Sequence, residues 1–109
     1  MSTSFNNAVI KNIGPTPVTV VTIASNARAT VIGLSLTNLT TGNVMASVQV
    51  NDGAGNTGYF CYNIIVPPNT SLRAVSQGEK LILGSSNSLL ISADQAGALD
   101  ALVSYVTIV

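Results

Sequence analysis

Hydrophobic and polar residues alternate with a period of two in several segments of the chain, and this pattern predicts β-strands with one buried face. The segments 30–38, 44–51 and 88–93 alternate most regularly. Val, Ile and Thr are abundant throughout the sequence, and their β-branched side chains favour a pleated, half-buried surface. From the phase of the alternation we expect the following side chains to be buried: Ile32, Leu34, Leu36, Val48, Val50, Phe60, Tyr62, Ile64, Leu89, Ile91 and Val106.

The remaining predicted strands are less regular. The run 18–23 breaks the alternation at Val20 and Val21, and a β-bulge at this point would explain the break. The last segment, 99–109, is apolar on both faces for part of its length, which is typical of a central strand or of a strand at an interface. Further strands are expected at 8–13, 59–66 and 80–83.

Turn-forming residues separate the predicted strands at intervals close to the ~8–12 residues that are typical of sandwiches and barrels. We therefore predict an all-β protein, a single antiparallel β-sandwich of about eight strands that is either jelly-roll or immunoglobulin-like. The domain should span residues 1–109, with residues 1–7 forming a flexible N-terminal arm. The one helix candidate, 94–99, contains Gly97 and is expected to be a loop or a single turn.

The chain carries very little charge, since only 7% of its residues are charged and four Lys and Arg balance four Asp and Glu. Such a chain cannot build the basic patch that neutralises several phosphates, so we expect no nucleic-acid partner. The sequence contains no His, which excludes imidazole catalysis and His ligation of a metal. A largely neutral, polar surface suits a protein that packs against copies of itself or against another protein.

The single cysteine, Cys61, excludes an internal disulfide and a zinc site built from cysteines. It lies in an apolar run and is expected to be a small core residue, because no His is present to activate it as a nucleophile. The first residues lack the basic and apolar pattern of a signal peptide, and no apolar run approaches the ~20 residues of a membrane span. We therefore expect no membrane partner and synthesis in a reducing cytoplasm.

Several sequence features that could indicate a cofactor, metal or acid–base site have simpler explanations. Residues 53–58 match the dinucleotide fingerprint G-x-G-x-x-G, but a strand is predicted after them where that site requires a helix, so we expect a hairpin loop. Asp52 would supply the only carboxylate of a calcium loop. Asp94 and Asp100 are expected to be a cap and a solvated strand start rather than an acid–base pair. We therefore predict no catalytic residue, no cofactor and no metal.

Tyr59 is expected to point outward if Phe60 and Tyr62 point inward. Carbohydrate-binding sandwiches stack sugars on exposed rings, so a carbohydrate-binding module for receptor recognition is one alternative function. Packing of the ring at a strand edge or at a subunit contact is the other explanation. An exposed aromatic or acidic cluster in one place would favour the carbohydrate alternative.

The order of the β-segments resembles that of small virion structural proteins of tailed bacteriophages. Those proteins have an I-G-L-x-L-x-N strand, a V-P-x-x-S-L turn, a K-L-x-L…S-x-L-x-I pair and an S-Y-x-x-I C-terminal strand. The matching segments here are TVIGLSLTN at 30–38, IIVPPNTSL at 64–72, GEKLIL at 78–83, SLLIS at 88–92 and VSYVTI at 103–108. The family often carries x-G-D before the S-x-L strand, and the corresponding residues 84–88 have no acid, which argues against a carboxylate role there.

The resemblance implies a non-enzymatic component of a virion, assembled in the host bacterial cytoplasm. A capsid cement (decoration) protein fits best, because the chain is short and lacks the repetitive part of a fibre; a neck, tail or fibre-attachment component is the alternative. Expected partners are the major capsid protein or other virion proteins and further copies of this chain, with a homotrimer favoured by the resemblance. The residues expected to contact another subunit or the shell are Val31, Met45, Tyr59, Leu90, Val103 and Val109.

Overall fold

The computed structural model describes residues 2–75 and 80–109. Within these residues the chain forms β-strands and no helix, which confirms the predicted all-β sandwich. The strands are β1 (Thr3–Ile13), β2 (Val18–Thr22), β3 (Arg28–Asn38), β4 (Val44–Asn51), β5 (Thr57–Val66), β6 (Ser71–Val75), β7 (Leu81–Leu83), β8 (Ser88–Ala93) and β9 (Leu99–Ile108). The short strand β6 is the one that the sequence pattern did not predict.

The strands form two antiparallel sheets packed face to face. Sheet A has the order β1-β9-β3-β6, and β7 also pairs with β3, along a different part of that strand from β6. Sheet B has the order β2-β8-β4-β5. Strand β9 is therefore a central strand, as its apolar residues on both faces suggested.

The pairing of the strands shows how the chain is wound. β4 pairs with β5, β3 with β6 and β7, β2 with β8, and β1 with β9, so the chain forms one long antiparallel hairpin with its tip between β4 and β5. This hairpin is coiled, because β9 also pairs with β3 and β8 also pairs with β4. Both central pairs join segments that are far apart in sequence, so local residue patterns do not encode them.

The core lies between the two sheets and consists of aliphatic side chains. Leu34, Leu36, Val48, Leu89 and Ile91 are buried in it, as predicted from the alternation. Val50, Ile64 and Val106 were expected to be buried but are only partly buried.

The predicted burial of Ile32 is wrong because β3 contains a bulge. The register between β3 and β9 shifts between Val31 and Gly33, so the alternation changes phase there. Val31 and Leu34 both point into the core, and Ile32 is 44% exposed on the outer surface of the sheet. A bulge adds one residue, and one residue is enough to exchange the two faces of a strand.

The predicted inward orientation of Phe60 and Tyr62 is wrong for the same physical reason. The register between β4 and β5 shifts twice, on either side of the pair Val48 and Cys61. Phe60 is exposed at 36% and Tyr62 at 63%, whereas Cys61 is half-buried and packs against the core. Each extra residue in β5 reverses the phase that a regular strand would keep.

The bulge predicted in β2 is present. Thr19 pairs with Leu90 and Val21 pairs with Leu89, so a step of two residues along β2 corresponds to a step of one residue along β8. Val21 is buried and Val20 is partly buried beside the core. This break in the alternation was visible in the sequence because both bulge residues are apolar.

Residues 3–7, which the sequence suggested as part of a flexible arm, instead form the first half of β1. They pair with the end of β9, from Thr3 opposite Ile108 to Asn7 opposite Ser104. The inward side chains of this segment are polar, and the Asn6 amide donates a hydrogen bond to Thr107 Oγ1 at 3.1 Å. This polar inner face is the reason that the segment lacked the pattern of a half-buried strand.

Candidate interaction surface

The described residues contain no group of three or more acidic or Cys side chains placed to hold a metal ion. Asp94 Oδ1 accepts a hydrogen bond from the Met45 amide at 3.0 Å, next to sheet B. Asp100 Oδ1 accepts one from the Asn12 amide at 3.0 Å, next to sheet A. The two carboxylates thus each bind the backbone of a separate strand.

Asp52 organises the loop between β4 and β5, where the sequence predicted a hairpin loop. Its Oδ1 accepts hydrogen bonds from the amides of Ala54 at 2.8 Å and Asn56 at 3.1 Å, and the Asn56 side-chain amide donates to Oδ2 at 2.9 Å. These donors, the Asn56 side chain foremost, lower the pKa of Asp52 from its ordinary value of 3.8. The strand β5 follows this loop, so no helix N-terminus is present to bind a pyrophosphate.

The outer surface of sheet A, here called face A, carries six exposed large apolar side chains of the described residues. Phe5 is 80% exposed on β1. The row that continues from Phe5 across β9, β3 and β7 is apolar except for Thr30. In this row Phe5 lies opposite Val106, Val106 opposite Thr30, and Thr30 opposite Ile82. The apolar members of face A are Phe5, Val9, Ile32, Ile82, Leu102, Val106 and Ile108.

A second apolar pair extends face A toward the other end of the sheet. Val9 lies opposite Leu102, and both side chains are exposed. A shallow cleft of about 530 Å³ lies between Phe5 and Ile32. Face A is therefore both apolar and uneven, which are properties of a surface that packs against another protein.

Charged side chains of the described strands lie toward the two ends and the β6 edge of face A. Arg28 is in the row that includes Ile108, Arg73 is on the edge strand β6, and Asp100 is near the start of β9. The central rows consist of apolar side chains with Thr, Ser, Asn and Gly. Two apolar rows thus lie on either side of the uncharged middle row Asn7, Ser104 and Gly33. Depletion of charge at the centre is a property of protein–protein interfaces.

The outer surface of sheet B, here called face B, is smaller and carries aromatic side chains. Tyr59 and Tyr62 are both exposed on it, and their rings meet edge to face with centroids 4.6 Å apart. Met45 and Ile65 are also exposed, on the paired strands β4 and β5. The sequence pattern indicated Tyr59 but not Tyr62 for this surface.

The structure places the six predicted contact residues in three different environments: the core, face B and the end of the chain. Val31 and Val103 are fully buried in the core, so their predicted outward orientation is wrong. The bulge in β3 turns the side chain of Val31 inward, and Val103 lies on the inner face of β9. Met45 and Tyr59 are exposed on face B, and Leu90 is partly buried there, opposite Gln49. Val109 is exposed at the end of the chain. A role of these four residues in subunit contacts stays a prediction.

The sequence pattern missed face A because its apolar residues come from four separate segments. Leu102, Val106 and Ile108 did indicate a second apolar face of β9, because they alternate with the inward side chains of that strand. Phe5 and Val9 gave a weaker signal, because the residues between them are mostly polar.

Comparison with known proteins does not place the chain in a family. No protein-family model matches the sequence, and no curated protein matches it. No helix of the described residues is long and apolar enough to cross a membrane. The two exposed faces are the features that bear on function.

Proposed function

We propose that the protein is a non-enzymatic structural protein of a bacteriophage virion, and specifically a capsid cement (decoration) protein. It acts by binding proteins over a broad surface rather than by chemistry at a cleft. The observation that carries this proposal is face A, an exposed, largely uncharged sheet surface with Phe5 exposed on its edge strand β1. The resemblance of the strand order to small phage virion proteins gives the proposal its biological setting.

Face A is large enough for a specific interface. Four strand positions at ~4.8 Å spacing and about ten residues at ~3.3 Å each give roughly 600 Å² in plan. Side chains corrugate the surface, so the accessible area is greater and comparable with the ~800 Å² that one partner contributes to a standard interface. Burial of the exposed apolar side chains supplies the driving force for such packing.

A second copy of the chain is the occupant that face A fits best. The centre of the face carries no charged side chain among the described residues, so packing against a copy brings no like charges together there. Copies arranged with face A toward a common three-fold axis would form the homotrimer that the resemblance favours. The rest of the surface then remains available to the major capsid protein.

The winding of the chain supports the jelly-roll type of sandwich. A long antiparallel hairpin coiled so that its outer strands pair with its inner strands accounts for every pair in sheets A and B. In immunoglobulin-like sandwiches the first two strands share one sheet, whereas here β1 and β2 lie in different sheets. Jelly rolls occur in viral capsid domains, in agreement with the proposed role.

A neck, tail or fibre-attachment component would use the same surface and differ in copy number. Quantitative mass spectrometry of purified virions distinguishes these roles. A cement protein is expected in hundreds of copies per particle, whereas a neck or tail component is expected in about a dozen or fewer, as for a symmetric ring. Absence of the protein from purified virions would contradict the proposal.

A further inference from the structure

The bulge in β5 between Tyr59 and Cys61 brings together two tyrosines that a regular strand would separate. Residues three apart in a strand point to opposite faces, because side chains alternate with a period of two. Tyr59 and Tyr62 nevertheless both lie exposed on face B, with their ring centroids 4.6 Å apart. Asn63 lies in the second bulge of β5, between Cys61 and Ile64. Its backbone is in the left-handed region, with φ at 49°, a conformation that Asn adopts more readily than most residues.

The tyrosine pair forms one side of a cleft of about 280 Å³ on face B. Asn63, Ser92 and Asp94 supply polar groups to its lining. This volume is close to the ~300 Å³ at the lower end of the range for small-molecule pockets. The cleft therefore has room for a single ring-sized ligand.

Polar atoms at the cleft keep capacity for a ligand. The Asn63 amide Oδ1 accepts a hydrogen bond from Ser47 Oγ at 3.3 Å, and its Nδ2 has no partner among the described residues. Asp94 uses Oδ1 for the Met45 amide and has Oδ2 unused within the described part of the chain. A donor and an acceptor are thus available beside two aromatic rings, which matches the apolar C–H face and the rim of hydroxyl groups of a pyranose.

The charge of the cleft selects among sugars. Asp94 is the one charged residue in the lining, and no Lys or Arg is included in it. A sialic or uronic acid would bring a second carboxylate close to Asp94 without a cation to offset the repulsion. A neutral sugar meets no such penalty.

We propose that this cleft binds the pyranose ring of a neutral glycan, with the sugar seated in the angle between the Tyr59 and Tyr62 rings, so that one ring stacks on a face of the sugar and the other meets its edge, and with its hydroxyl groups hydrogen-bonded to Asn63 and Asp94. Face B lies on the opposite side of the sandwich from face A, so glycan binding and packing through face A can occur together. This binding function does not depend on the cement role proposed above and can be tested on the isolated protein.

The test is an NMR titration of the ¹⁵N-labelled protein with three neutral probes: methyl β-D-glucopyranoside, methyl β-D-galactopyranoside and N-acetylglucosamine. At least one probe should give saturable, millimolar shifts confined to the amides of Tyr59, Tyr62, Asn63 and their neighbours on face B. N-acetylneuraminic acid, added in the same way, should give none. Absence of saturable shifts with all three neutral probes, or tighter binding of the acidic sugar, would overturn the proposal.

Variants separate stacking from loss of structure. Tyr62→Ala should weaken binding of the effective probe by about tenfold or more, a ratio that corresponds to about 1.4 kcal/mol. Tyr62→Phe keeps the ring and should retain most of the affinity. The control Leu39→Ala removes an exposed apolar side chain from the loop between β3 and β4 and should leave the affinity unchanged. Equal affinity in Tyr62→Ala and the unmodified protein would refute the site.

Discussion

The bulge in β3 makes neighbouring apolar residues differ sharply in what they contribute to stability. Leu34 is 1% exposed in the core, whereas Ile32 is 44% exposed on face A. A regular strand would bury both side chains, since they are two residues apart. Truncation of each residue to Ala therefore tests the bulge directly.

The expected magnitudes follow from burial. Leu34→Ala removes a fully buried side chain and leaves a cavity, so it should lower the free energy of unfolding by about 2–5 kcal/mol. Ile32→Ala leaves no core cavity and gives up only part of the ~1.5–3 kcal/mol of a fully buried aliphatic side chain, so about 1 kcal/mol or less is expected. The first loss is a large share of the ~5–15 kcal/mol that stabilises a typical domain.

The assay is urea denaturation followed by far-UV circular dichroism, because the chain has no Trp. With a urea m-value of about 2 kcal/mol/M, Leu34→Ala should shift the midpoint by roughly 1–2.5 M and Ile32→Ala by roughly 0.5 M or less. Measurement at two protein concentrations shows whether association through face A contributes to the apparent stability, because that contribution depends on concentration. Equal shifts for both variants, or a larger shift for Ile32→Ala, would refute the bulge and the orientation of face A.

Three further predictions concern the loops and the absence of a metal requirement. Asn38 is buried, its Nδ2 donates hydrogen bonds to Gly42 O and Val66 O, and its Oδ1 accepts one from the Thr40 amide. Asn38→Ala should therefore lower the free energy of unfolding by at least about 2 kcal/mol in the same assay. No loss of stability would contradict this role. The lowered pKa of Asp52 means that its ionised form stabilises the loop above pH 3.8 and that this effect is lost as the pH falls through the lowered pKa. Amide exchange at Ala54 and Asn56, corrected for intrinsic rates, should therefore become less protected in acid, and Asp52→Asn should remove this pH dependence. A chelator should leave the melting temperature unchanged, and a fall of several degrees would disprove the prediction that folding needs no metal ion.

The sequence predicted those parts of the fold in which local alternation coincides with burial. Strands β4 and β8 keep one phase on their inner faces, so Val48 and Ile91 were placed correctly. The phase fails at bulges such as those in β3 and β5, where the added residue is no different in chemistry from its neighbours. The bulge in β2 was predictable only because two apolar residues stand together at Val20 and Val21.

The surfaces could not be predicted in the same way because they depend on long-range register. Face A brings Phe5 beside Val106 and Ile82 through pairings between β1, β9, β3 and β7. No local pattern gives the order in which these strands pair. On face B, Tyr62 joins Tyr59 only because β5 contains a bulge between Tyr59 and Cys61, so the sequence indicated one exposed ring where the structure has two.

The association of the chain through face A is the central claim, and it is tested most directly by the mass of the free protein in solution. Light scattering at micromolar concentration should give a multiple of the 11.1 kDa chain mass, with about 33 kDa expected for the trimer. Phe5→Asp, which places a charge in the apolar row that Phe5 forms with Val106 and Ile82, should return the protein to the mass of one chain. A mass of about 11 kDa for the unmodified protein, or an oligomer that Phe5→Asp leaves intact, would contradict the account.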